Sequence, residues 1–209
     1  YLTIDISEED ENDNNWKMKY NPHSYYKEKV FYITLNNSIP VTLDFHLGAG
    51  YGKIDLSGLL VKDLRLETGA AETIVLCDEP NQQIMENFKV DAGLSKFRAY
   101  NVGNTNFKNL FFEGGVGSYF FDFNGTIRKE AFVRMELGLV TMSMVIPNNL
   151  GASILYNDSF LSSHSFEDFK EIGNGKFVST NYNNSDGRLN IKIESGLGSI
   201  KVKRVNAGW

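Results

Sequence analysis

With a single cysteine, Cys77, the chain cannot build an intrachain disulfide framework or a cysteine-rich zinc site. It has no apolar run near the ~18 residues that a membrane-spanning helix needs. Positive charge is in deficit: 21 Lys and Arg stand against 26 Asp and Glu, for a net charge of −5, which argues against a general nucleic-acid role. There is no G-x-S-x-G elbow, P-loop or H-E-x-x-H. The histidines His23, His46 and His164 are scattered, and no metal centre is expected from them. What remains is a chain of 209 residues, 42% hydrophobic and 22% charged, that must be held by a core. Cys77 follows Val75 by two positions, so it is expected inside that core as a small apolar residue.

The core is written as a repeat. Leu64–Ala70, Phe88–Leu94, Leu110–Val116 and Val133–Leu139 share one form, and Leu43–Ala49 and Ile191–Leu197 share it too. Their glycines are Gly48, Gly69, Gly93, Gly115 and Gly138, spaced 21, 24, 22 and 23 residues apart, with Gly196 following 58 later. A strand-like core recurring every 20–25 residues predicts a solenoid. Five before the glycine stand Leu43, Leu64, Phe88, Leu110, Val133 and Ile191; three before it stand Phe45, Leu66, Val90, Phe112, Met135 and Ile193. Strand side chains alternate, so both columns point into the core. Ala49, Ala70, Leu94, Val116, Leu139 and Leu197, just after the glycine, form a third apolar column expected inside, with Ile54, Val75, Ala99, Phe121, Met144 and Val202 further on. Glycine is expected at the bend for its freedom of backbone angle. The glycine-rich runs Gly48–Gly52 and Gly114–Gly117 belong to this repeat and lack dinucleotide spacing.

The outward columns are as regular. His46, Glu67, Asp91, Glu113, Glu136 and Glu194 form an acidic ladder; Asp44, Arg65, Lys89, Phe111, Arg134 and Lys192 form a mainly basic one beside it. Mutual neutralisation on a solvated face is the expected role, and a strip binding a charged glycan or a cation is the alternative. No metal is expected there, and exposed Phe111, Tyr51 and Tyr100 are candidate sugar-stacking aromatics. No catalytic residue, cofactor or specific binding residue stands out.

In chain order, residues 1–23 read as an acidic polar arm or linker, and 24–205 as one β-solenoid domain. Asp10, Asn12 and Asn14 resemble the start of a calcium loop, but Asn15 and Asn21 occupy its glycine and glutamate positions. Val30–Leu35 and Val41–Leu47 read as strands. After Ile146 the pattern loosens: Ile154–Tyr156 suggests a strand, Ser165–Ile172 a short helix or loop, Phe177–Tyr182 a strand, and Asn183–Gly187 a turn. Leu189–Val202 is expected to be the last coil, with Lys201, Lys203 and Arg204 guarding its open edge. The fold class is therefore all-β: a single-stranded parallel β-helix (β-solenoid) of roughly six to seven coils with a less regular insertion before the last coil. The chain starts at Tyr1 without methionine, and a signal peptide or lipid anchor removed from its front is compatible with that.

The repeat, together with Gly173-Asn174-Gly175-Lys176-Phe177, Asn181-Tyr182 and Leu189–Val202 with its G-L-G-S-I-K-V close, resembles the bacterial LiaF-like, DUF4097 and DUF2154 ("toast-rack") group over about residues 40–203. That resemblance implies an extracytoplasmic β-solenoid with no catalytic residues. It favours a non-enzymatic envelope or surface module, adhesin-like, working by contact with a protein or glycan. The alternatives are an extracytoplasmic module of an envelope-stress signalling regulator and a polysaccharide-active β-helix enzyme.

Overall fold

The computed structural model describes residues 32–127, 129–157 and 161–206. The arm expected at 1–23 and its calcium-loop-like stretch lie outside them. The chain divides into units 1–36 and 37–209, and the second is described here. Its strands are β1 (Pro40–Asp55), β2 (Leu60–Leu76), β3 (Met85–Tyr100), β4 (Phe107–Asp122), β5 (Glu130–Pro147), β6 (Gly151–Asn157), β7 (Ser162–Phe166), β8 (Phe169–Gly173), β9 (Lys176–Ser179) and β10 (Arg188–Val205). Of the expected strand Val30–Leu35, residues 32–35 are outside any strand.

Each long strand is a coil, folded back on itself. Phe112 and Phe121 both lie in β4, yet their ring centroids are 5.0 Å apart. Fully extended, nine residues would hold them about 30 Å apart. The two halves of each strand therefore face one another, and the core lies between them. Phe88, Phe97, Phe112, Tyr119, Phe121 and Phe123 fill it, all but fully buried. Neighbouring coils pair in parallel in the expected register: Leu66 beside Val90, Val90 beside Phe112, Phe112 beside Met135. The columns five and three before the glycine do face inward.

The third column does not. Leu94, Val116, Leu139 and Leu197 are 42–66% exposed, and Ala49 and Ala70 are exposed as well. The glycine and its successor both point outward, so the alternation slips by one at the bend. The inward positions resume two and four past the glycine, at Ala71, Ser95 and Val140, then Phe97, Tyr119, Met142 and Ile200.

The reason for glycine also differs from the expectation. None of the six bend glycines has a left-handed φ. Their constraint is close approach: a Cβ on Gly115 would sit 2.9 Å from the Gly93 carbonyl oxygen, and one on Gly196 would sit 2.9 Å from that of Gly138. At Gly48, on the first coil, a Cβ would meet nothing within 4 Å. Gly115→Ala is accordingly expected to lower stability by about 1–3 kcal/mol, the usual cost of overpacking, and Gly48→Ala to stay within about 0.5 kcal/mol. Urea denaturation of the two variants decides it; equal effects would contradict the close-approach account.

The opposite corner is tied by asparagines. Buried Asn81 donates to the carbonyls of Val61 (2.8 Å) and Thr105 (3.1 Å), joining three coils. Cys77 is fully buried at this corner, as expected, with its Sγ donating to the Glu79 carbonyl. Burial first, then the charges of Asp55 and Asp78, push its thiol pKa up to about 12. It is expected to resist alkylation in the native state at pH 8 and to react once denatured. Rapid native labelling would contradict this placement.

The spatial order of strands is β1-β2-β3-β4-β5-β10-β6-β9-β8, with β7 also on β10. Here the structure corrects the sequence reading. β10 is not the last coil: it lies between β5 and a seventh coil made of β6 and β7. The segment read as an irregular insertion thus supplies a coil, and Ser165–Ile172, expected as a short helix or loop, holds the end of β7, a two-residue turn and most of β8. Lys201 and Lys203 reach Glu167 (3.3 and 3.8 Å), so they do not guard an edge. Arg204 donates to the carbonyls of Asn148 and Leu150. That end is closed instead by the antiparallel pairs of β9 with β6 and β8. Rings of Tyr156, His164, Phe166 and Phe177 cover the core there.

Candidate functional site

Parallel stacking in register sets like residues side by side, about 4.8 Å apart. The acidic ladder is realised: His46 beside Glu67, then Asp91, Glu113, Glu136 and Glu194 on successive coils. Neutralisation is realised only at its ends. Arg65 pairs with Glu67, Arg134 with Glu136 (2.7 Å) and Lys192 with Glu194 (2.6 Å), while His46 bridges Asp44 and Glu67. A hydrogen bond from Lys192, reinforced by its charge, holds the Glu194 carboxyl below the usual range. In the middle, Phe111 replaces the expected cation, and Lys89 turns to it, its Nζ 5.6 Å from the ring centroid. Asp91 and Glu113 have no ion pair among the described residues.

These two carboxylates line a shallow groove of about 820 Å³ that runs along the ladder and the bend glycines, past Glu67, Gly93, Gly115 and Glu136. The exposed stripe Leu94, Val116, Leu139 and Leu197 follows the glycines directly in sequence, so an apolar ridge borders an acidic trough over four neighbouring coils. Among the described residues no three His, Cys, Asp or Glu are grouped to hold a metal. Arg65, Arg134 and Lys192 beside the carboxylates disfavour a divalent ion, so millimolar calcium is expected to leave the melting temperature unchanged within about a degree, since only a ligand of the native state raises it. Calorimetry in calcium against chelator is the check; a rise of several degrees, abolished by Glu113→Gln, would place a cation on the ladder.

A second feature lies two and four residues back along the strands. Phe111, 37% exposed, and Phe132, 50% exposed, stand diagonally on β4 and β5. They border a pocket of about 350 Å³ with Asn109, Arg134, Lys192 and Lys176. Of the other aromatics singled out from sequence, Tyr51 is exposed on β1. Tyr100 packs against Phe120, ring centroids 5.3 Å apart. Phe132 was missed. It stands in the outward column with Asn109 and Asn190, and following that column would have found it.

Among the described residues no helix is long and apolar enough to cross a membrane, which says nothing of strand-built membrane proteins. A family model, the N-terminal domain of toast_rack, DUF2154, matches residues 2–97. A solved structure described as that of a "putative cell adhesion protein" from Clostridium sporogenes is similar over 78% of this chain and 92% of that one, with TM-score 0.51 and 16% identity. No curated protein matches the chain. The resemblance to the toast-rack group is thereby borne out over residues 2–97, and the solved structure shares the β-solenoid fold alone.

Proposed function

We propose that this solenoid is a non-enzymatic, adhesin-like interaction module of the bacterial cell envelope, displayed outside the cytoplasm. Its toast-rack resemblance supports the envelope setting. The observation that carries the contact role is the in-register stripe Leu94, Val116, Leu139 and Leu197, left exposed beside an acidic groove. Four large apolar side chains aligned on adjacent coils, each 42–66% exposed, cost solubility. Contiguous apolar patches with a polar rim mark contact surfaces.

The test uses fluorescently labelled domain and isolated bacterial envelopes. Saturable binding is expected, falling at least about fivefold, or ~1 kcal/mol, in Leu94→Ser/Leu139→Ser, with the circular dichroism unchanged. Binding that ignores these changes would overturn the stripe's role. New reducing ends released from envelope polysaccharide would overturn the non-enzymatic reading.

A further inference from the structure

The pocket beside Phe132 is distinct from that stripe and does not depend on it. Its geometry follows from stacking. Asn109, Phe132 and Asn190 occupy one outward column on β4, β5 and β10; Phe111, Arg134 and Lys192 occupy the next, two residues along the same strands. Coils lie about 4.8 Å apart and alternate strand residues about 6.6 Å apart. The six side chains thus tile a patch the size of one pyranose ring with its substituents. Buried backbone of Leu110, Val133 and Ile191 forms the floor, and Lys176 of β9 stands at the far rim. The volume, about 350 Å³, falls at the small end of the range for small-ligand sites.

The chemistry is mixed in a particular way. No aromatic ring packs on Phe111 or Phe132 among the described residues, so half of Phe132 faces solvent. The polar groups next to it are an amide on each side, Asn109 and Asn190, and the cations of the column two residues along. Asn190 is spent: it accepts from Ser153 and Tyr182 and donates to Glu130. Asn109 donates to the Glu86 carbonyl, and its Oδ1 has no partner among the described residues. Arg134 and Lys192 are tied to Glu136 and Glu194 only through exposed pairs, which a ligand carboxylate can displace at little cost. Lys176 has no ion pair among the described residues. A flat ring of C–H groups would stack on Phe132, a hydroxyl would donate to Asn109, and a carboxylate would meet Arg134, Lys192 and Lys176.

We infer that this pocket binds an acidic sugar unit, a pyranose carrying a carboxylate, within an envelope or host polysaccharide. An acidic peptide would find the cations, but the exposed apolar groups, Phe111, Phe132 and Leu155, lie on a shallow floor that encloses no side chain; a pyranose face matches the floor and the Phe132 ring together.

The test is a heteronuclear NMR titration of the ¹⁵N-labelled chain with oligogalacturonate trimer, cellotriose as the neutral control, and a hexapeptide of Asp and Glu. Shifts are expected at Asn109, Phe111, Phe132, Arg134 and Lys192, with the uronate bound at least about tenfold more tightly than cellotriose, or ~1.4 kcal/mol. Phe132→Ala, at an exposed position, should weaken the uronate about tenfold with the spectrum otherwise intact. Arg134→Gln/Lys192→Gln should shrink the preference for uronate over the neutral sugar to under about threefold, since the cations supply it. No shift in this patch with the uronate, or no effect of Phe132→Ala, would overturn the assignment. Tighter binding of the acidic peptide at the same residues would replace the sugar with a protein partner. Loss of envelope binding in the Leu94/Leu139 variant would leave these titrations unchanged, so the two readings fail separately.

Discussion

Phe112→Ala is expected to lower the stability of the domain by about 3–5 kcal/mol, the range for truncating a buried phenylalanine. Phe112 is 1% exposed and sits where the two faces of the coil meet. Its ring lies 4.8 Å from Tyr119, 5.0 Å from Phe121 and 5.5 Å from Phe97, centroid to centroid. Those three rings belong to two coils and to the opposite halves of their strands, so the cavity left by alanine has walls on both faces. The stacked backbones hold those walls apart, because their hydrogen bonds run along the solenoid axis. Collapse is therefore poor and the cost falls high in the range. Equilibrium denaturation measures it, and a loss below about 1 kcal/mol would show that the fold-back within β4 is misplaced.

The second large effect concerns the inserted strand. Ile193 of β10 is fully buried and pairs with Met135 on one side and Tyr156 on the other. Ile193→Asp places an unpaired carboxylate in the core between two coils, and the expected loss exceeds about 4 kcal/mol. Its signature is as telling as its size. Hydrogen exchange should accelerate in both β5 and β6, which are 130–147 and 151–157, since each has β10 as neighbour. The matching change on the first coil, Leu43→Asp, has a paired strand only in β2 among the described residues. It should cost less and leave β5 and β6 protected. Loss of protection in β5 alone would contradict the insertion.

Much of this molecule is legible in the chain. The two columns before the glycine, Leu64 to Ile191 and Leu66 to Ile193, gave coil, register and core together, because parallel stacking aligns like positions. The acidic ladder followed from the same alignment. Two features were not read. Leu94, Val116, Leu139 and Leu197 are apolar, and a regular alternation through the bend places them in the core, where the structure leaves them exposed. The parity itself held the clue: Leu94 and Ala99 are an odd number of residues apart and cannot share a face without a slip. The strand order was hidden for a different reason. Sequence periodicity reports which segments stack, and the order of stacking depends on tertiary closure. Ile154 and Tyr156 already fit the core columns, pairing with Ile191 and Ile193, yet their coil lacks the bend glycine that marks the others. Where the basic ladder would carry its central cation stands Phe111, and its effect on Lys89 needed coordinates.

The strand order also governs function, because the Phe132 pocket needs β10 beside β5 to bring Lys192 next to Arg134. Disulfide trapping tests that order directly. Lys201 pairs with Ser143 of β5 on one side and with Ser165 of β7 on the other. All three point outward, and adjacent coils at about 4.8 Å lie within the Cα separation a disulfide spans, whereas coils two apart at about 9.6 Å do not. In a Cys77→Ser background, the pairs Ser143→Cys/Lys201→Cys and Lys201→Cys/Ser165→Cys should both oxidise readily in the folded protein, and Ser143→Cys/Ser165→Cys should not. Ready oxidation of Ser143→Cys/Ser165→Cys, with the Ser143→Cys/Lys201→Cys pair left reduced, would put the β6–β7 coil directly on β5 and contradict the account.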